Sequence, residues 1–153
     1  MGSNKQVKFG KHPKGGKNVR IAVPPDFNQY PPLWHFRTLD VDGPFAPKET
    51  YGWRTMTAPA ICDMLEKLGS LETMTWAEIL RAKKTNHLVA TDQLCLEAQS
   101  RLEAIGREAC DTLYSLGPFG NLPRLWGIRE GMSFQILWWD PDHRVCPSTR
   151  KDN

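Results

Sequence analysis

The chain contains no run of about eighteen uncharged apolar residues, the least a membrane-spanning helix needs, and no apolar core follows its basic N-terminus as a signal peptide requires. A soluble, cytoplasmic protein without membrane contact is expected. The four cysteines, Cys62, Cys95, Cys110 and Cys146, lie far apart with no Cys-x-x-Cys pair, which argues against a zinc site and against a disulfide framework. No glycine-rich phosphate loop, Gly-x-Ser-x-Gly elbow or His-Glu-x-x-His helix is present, so the nucleotide, hydrolase and zinc-protease chemistries those motifs carry drop out. No internal repeat appears either.

What remains is a chain of 153 residues, 40% apolar and 24% charged, with six tryptophans and six phenylalanines. That is the size and composition of one globular core rich in buried rings. The net charge of +3 is unevenly placed. Residues 1 to 20 carry Lys5, Lys8, Lys11, Lys14, Lys17 and Arg20 with no acid, which leaves 14 basic and 17 acidic groups in the rest. The first 32 residues therefore read as a basic arm followed by a proline-rich linker, PPDFNQYPP. An arm of this kind gains sequence-independent affinity for nucleic acid through counterion release. It also fits a solubilising tail, and Met1-Gly2-Ser3 fits an expression leader.

A single domain is expected over residues 33 to 148, with a short tail at 149 to 153. Leu33 to Val41 alternates as a first strand and ends at Asp42-Gly43-Pro44. The loop at 43 to 57 holds Phe45, Tyr51 and Trp53. A helix is expected from Ala58 to Leu68, with Pro59 in its first turn and Gly69 as its stop. Thr75-Trp-Ala-Glu78 has the form of a capping box and opens a second helix ending near Lys83-Lys84. Thr91 opens a third, running to about Ile105 before Gly106. Thr112 to Leu116, Arg124 to Glu130 and Ser133 to Trp139 read as strands, the last two joined by a glycine turn. The fold class is α+β: a small, mainly antiparallel sheet of one N-terminal and three C-terminal strands, with about three helices on one face.

The C-terminal text, Arg124-Leu-Trp-Gly-Ile-Arg129-Glu-Gly followed by Phe134-Gln-Ile-Leu-Trp-Trp-Asp140-Pro-Asp-His143-Arg-Val, is similar to small proteins of bacterial and phage mobile elements. The element order resembles the RelE/YoeB superfamily of toxin endoribonucleases over roughly residues 33 to 146. The resemblance implies RelE-like RNA cleavage by a 2′-hydroxyl, in a toxin-antitoxin setting and without metal or cofactor. Its implied partners are RNA, free or on the ribosome, and a neutralising antitoxin. One departure is plain, because the connection Gly117 to Pro123 carries no charge where those toxins carry cations.

Such chemistry needs a cation against the phosphorane and groups that move protons. Arg124 and Arg129 stand five residues apart and so face opposite sides of a regular strand. Arg129 is the preferred phosphate ligand and Arg124 the alternative. Glu130 is a base or a turn carboxylate. His143 follows Asp140-Pro141-Asp142 and titrates near neutrality, which suits proton transfer. Arg144 can touch phosphate, and Lys83 and Lys84 can touch RNA or simply close a helix dipole. Trp126, Phe134, Trp138 and Trp139 read as packing before base stacking. Cys62, Cys95 and Cys110 read as buried thiols. Two other classes stay open: a non-catalytic inhibitory protein whose aromatic loop meets a partner, and a nucleic-acid-binding module acting through its arm.

Overall fold

The computed structural model describes residues 25–42, 52–117 and 122–147. Among them are five strands and three α-helices: β1 (Leu33–His35), α1 (Ala58–Leu71), α2 (Trp76–Leu80), β2 (His87–Ala90), α3 (Leu96–Ala104), β3 (Thr112–Leu116), β4 (Arg124–Glu130) and β5 (Ser133–Asp140). The strands form one open mixed sheet in the order β1-β5-β4-β3-β2. β1 runs parallel to β5, and the other three pairings are antiparallel. The α+β class and the mainly antiparallel sheet match the expectation. No helix among the described residues is long and apolar enough to cross a membrane.

The helices do not share one face. Met64, Leu68 and Leu71 of α1 and Trp76 and Ile79 of α2 pack with Leu116, Leu125, Phe134, Ile136 and Trp139. Ala98 and Leu102 of α3 pack with Val89, Leu113, Trp126, Leu137, Trp138 and Val145. Two apolar clusters therefore cover the two sides of the sheet, and the one-face layout is corrected to helices on both. The cause is legible in β4 and β5, whose side chains are buried on either side and leave neither face to water.

A bulge in β5 organises the middle of the sheet. Trp126 pairs with Trp138 but Gly127 pairs with Ile136, so Leu137 is an extra residue. Parity flips there: Phe134, Ile136 and Trp139 share one cluster, while Leu137 and Trp138 join the other. The simple alternation expected for Phe134 to Trp139 is broken for this reason. The freed carbonyls find partners in the N-terminal segment. Leu137 O accepts from the Asp40 amide at 3.0 Å and from Trp53 Nε1 at 2.8 Å, and Ile136 O accepts from Thr38 Oγ1 at 2.9 Å. The expected nine-residue first strand consequently shrinks to Leu33–His35, since past Gln135 the chain follows the bulge and leaves the ladder.

Other boundaries shift for local reasons. Thr57 caps α1 through the Ala60 amide, but the helix passes Gly69, which meets no obstacle, and ends after Leu71. The capping box of Thr75 and Glu78 is present, yet α2 stops at Leu80 and leaves Lys83 and Lys84 in a turn beyond it. Thr91 does not cap α3. Its amide and hydroxyl donate to Asp111 O, which ties the unforeseen strand β2 to the start of β3, and α3 begins only at Leu96. Residues 25–32, expected as a linker, are docked on the domain: Pro32 is buried, Tyr30 O accepts from the Trp76 amide at 3.0 Å, and Asn28 Oδ1 accepts from Arg129 at 2.7 Å.

Asp40 joins the N-terminal segment to α3. Its carboxylate accepts two bonds from Arg101, at 2.8 and 2.6 Å, and one from Trp138 Nε1 at 3.0 Å. Burial pushes this carboxyl up, but the Arg101 and Trp138 hydrogen bonds and the Arg101 charge outweigh it and hold the group below its ordinary value. A carboxyl depressed in the folded state stabilises above its unfolded pKa, and that stability is lost as pH falls through the folded value. Asp40→Asn should lose about 2 kcal/mol at neutral pH and flatten the acid limb of the stability curve, as read by urea unfolding across pH.

Gly127 lies at the bulge, where a Cβ would stand 2.4 Å from Gln135 O and 2.5 Å from the Phe134 ring. Gly127→Ala should destabilise the domain by about 3 kcal/mol with an unchanged denaturant slope, because neither neighbour can withdraw without opening the β4–β5 ladder.

Candidate active site

At the end of the sheet where β4 begins and β5 finishes, the α3 side carries a group of polar residues instead of apolar ones. Val89, Leu113 and Trp126 fix which residues of their strands face this side. By alternation His87 on β2, Ser115 on β3 and Arg124 on β4 face it as well. His87 is the cross-strand partner of Ser115. Arg124 opposes Asp140, the last residue of β5. Ser115, Arg124 and Asp140 are buried.

Asp140 shapes the turn that follows it. Its carboxylate accepts from Trp126 Nε1 at 3.2 Å and from the amides of Arg144 at 2.8 Å and Val145 at 2.9 Å. The chain between is forced into a tight curl, and His143 takes φ +57°, the one non-glycine residue with positive φ among the described residues. Left-handed backbone is costly for most side chains, and histidine is among those that tolerate it best. Arg124 and His87 both act electrostatically on the His143 imidazole.

Gly117 leaves the room this arrangement needs. A Cβ there would lie 3.1 Å from the Arg124 guanidinium carbon and 2.8 Å from Thr85 O. The guanidinium, bonded to Pro123 O at 2.9 Å, thus abuts the turn at Arg81–Thr85. Buried Asn86 locks that turn in place, donating to Ile79 O at 2.9 Å and accepting from the Gly117 amide at 3.0 Å. Arg81, Lys83 and Lys84 are exposed, and with Ala82 and Thr85 they line a cavity of about 500 Å³. The helix-dipole reading of Lys83 and Lys84 lapses, because both lie past the end of α2.

Three polar atoms in the group, His87 Nδ1, Ser115 Oγ and His143 Nδ1, are buried with no hydrogen-bond partner among the described residues. Such atoms are uncommon in folded proteins, where nearly all buried polar groups are hydrogen-bonded. Burial, then the Arg124 charge, pulls the His143 pKa below its ordinary value; Asp140 opposes this and His87 adds to it. Both effects favour the neutral imidazole, the form that accepts a proton.

The structure brings Arg124 and His143 together and keeps Arg129 apart. Arg129 faces the α1–α2 side, with its guanidinium 4.6 Å from the centre of the Trp76 ring and bonded to Gly131 O and Asn28 Oδ1. It holds residues 25–32 against the sheet. The opposite orientation of the two arginines is as expected, but the residue beside the imidazole is Arg124. Glu130 lies six residues along β4 from Arg124, about 20 Å away, exposed and bonded to Gln135 at 3.2 Å. The Arg144 side chain is exposed, with its backbone amide on Asp140. Lys5, Lys8, Lys11, Lys14, Lys17 and Arg20 lie outside the described residues, as do Phe45 and Tyr51. Trp126, Phe134, Trp138 and Trp139 are buried packing groups. Cys62 is exposed and Cys95 and Cys110 are only half-buried, against expectation; burial raises the pKa of the Cys95, Cys110 and Cys146 thiols. No cluster of three His, Cys, Asp or Glu side chains forms a metal site among the described residues.

Sequence reasoning missed His87 and Ser115. The four-residue strand that carries His87 has no pattern of its own, and only its pairing with β3, where Ser115 stands opposite, gives it a face. Comparison with family models, curated proteins and solved structures finds no match for this chain.

The electrostatics are directly measurable. The His143 imidazole should titrate below an ordinary histidine in an NMR pH series, and Arg124→Gln should move its midpoint back up by removing the nearer positive charge.

Proposed function

We propose that this protein is a metal-independent endoribonuclease of toxin type, with Arg124 holding the scissile phosphate and His143 accepting the proton of the attacking 2′-hydroxyl. The observation that carries the reading is the meeting of Arg124 and His143 in one polar group, beside a turn bearing Arg81, Lys83 and Lys84. A guanidinium offers paired donors to phosphate oxygens and keeps its charge even where burial lowers its pKa, as here. A neutral imidazole next to it is a competent base at neutral pH. The three cations of the turn give a phosphate backbone a path toward the site, and the basic arm adds salt-sensitive affinity. A RelE-like origin, a mobile-element setting and an antitoxin partner belong to the same proposal and rest on the C-terminal text.

A second reading, a partner-binding inhibitor that cuts nothing, draws on the exposed apolar groups Tyr30, Leu33, Phe36 and Val41 in and around β1. Trp53, once a candidate for that surface, is instead half-buried and bonded to the β5 bulge.

Induction of the wild type in a bacterial host should arrest growth and create new RNA ends carrying 2′,3′-cyclic phosphate. His143→Asn, which suits the left-handed backbone, and Arg124→Gln should each lower cleavage by about 10²–10⁴-fold. Arrest by wild type and His143→Asn alike, without new ends, would favour the inhibitor; no arrest and no new ends would remove the ribonuclease reading.

A further inference from the structure

Displacement at phosphorus puts the attacking and leaving oxygens on opposite sides of the reacting atom. One imidazole cannot serve both, so a site with a single base leaves the departing 5′-oxygen without a proton source. The sheet supplies a second imidazole. Across it run β5, β4, β3 and β2, about 4.8 Å apart, so Arg124 on β4 stands between the turn carrying His143 and the strand carrying His87. The Arg124 guanidinium leans over Gly117 toward the backbone at Thr85, two residues before His87.

His87 has no evident structural duty. It makes no side-chain hydrogen bond among the described residues, and its Nδ1 is buried without a partner, as is Oγ of Ser115, the residue opposite it. An unpaired buried polar atom costs about 1–3 kcal/mol, and a histidine at this place on an edge strand is easily replaced by an apolar residue if packing is all that is required. His87 also lies close enough for its charge to act on His143.

We propose that His87 is the second catalytic group of this site, giving its proton to the leaving 5′-oxygen while His143 takes the proton of the 2′-hydroxyl. The inference rests on the ribonuclease reading above. In the step, the 2′-oxygen bonds to phosphorus as its proton passes to His143. The bond from phosphorus to the 5′-oxygen breaks, and that oxygen takes the proton held by His87. The products are a 2′,3′-cyclic phosphate and a 5′-hydroxyl, with His143 protonated and His87 neutral; exchange with water resets both. His143 is the base of the pair because burial and Arg124 favour its neutral form.

The test compares an ordinary short RNA with one whose scissile 5′-oxygen is replaced by sulfur, a leaving group that needs no proton. His87→Gln in the full chain should cut the ordinary RNA about 10²–10⁴-fold more slowly than wild type and the 5′-thio RNA at close to the wild-type rate. His143→Asn should be slow on both. The recovery on the thio substrate also shows that His87→Gln is folded. Wild-type speed of His87→Gln on ordinary RNA would overturn the inference and leave the ribonuclease reading intact, as would a loss on both substrates with an undisturbed melting curve. A wild type that cuts neither RNA would overturn both.

Discussion

The Asp140 carboxylate is the point on which the candidate-site end of the described structure depends. It is 2% exposed and accepts an indole and two backbone amides, so the bonds lost to water on burial are replaced. Those three bonds tie β4 to β5 and curl the chain at 141–145, which puts Val145 into the core under α3 and His143 above it. Asp40 repeats the device one step along the same face. Trp126 and Trp138 are cross-strand partners, and each indole donates to a different aspartate, Asp140 and Asp40 respectively. Two buried carboxylates thus use neighbouring tryptophans, one to fix the turn at 141–145 and the other to fasten the N-terminal segment and Arg101 of α3.

This placement separates two kinds of arginine that look alike in the sequence. Arg129 sits over Trp76 and bonds Gly131 and Asn28, an arrangement that consumes its donors in holding residues 25–32. Arg124 donates to the Pro123 carbonyl and lies in the space that Gly117 leaves, and its charge falls on His143. Strand parity alone showed that only one of them can face any given site. Choosing between them needed the position of His143, which is set by hydrogen bonds to a side chain three residues earlier.

The strands β3, β4 and β5 were readable because each carries enough apolar residues, and the glycine turn at Gly131, with φ +63°, announces the hairpin. The capping box of α2 and the start of α1 were readable for the same reason: a cap is a local chemical signal. β2 was not, since four residues with one buried valine become a strand only by pairing with residues 112–115. The bulge at Leu137 was equally hidden, and it decided both the length of β1 and the sides on which Leu137, Trp138 and Trp139 lie. Arg124 and His143 were legible as residue types suited to phosphate chemistry. Their association with His87 and Ser115 was not, because it is made by four elements whose register no local pattern contains.

The candidate-site end carries features that work against stability. Three buried polar atoms there have no partner among the described residues, His143 occupies left-handed backbone, and the neutral form of His143 is favoured by burial next to a positive charge. The last of these has a sign: a histidine whose folded pKa is lowered stabilises above its unfolded value, and the fold weakens as pH falls through the folded one. None of this serves packing, which the two apolar clusters already provide on either side of the sheet. Polar groups without partners among the described residues, gathered at one end of the sheet beside Arg124 and an exposed basic turn, describe a fold that gives up stability locally while its two apolar clusters carry the packing.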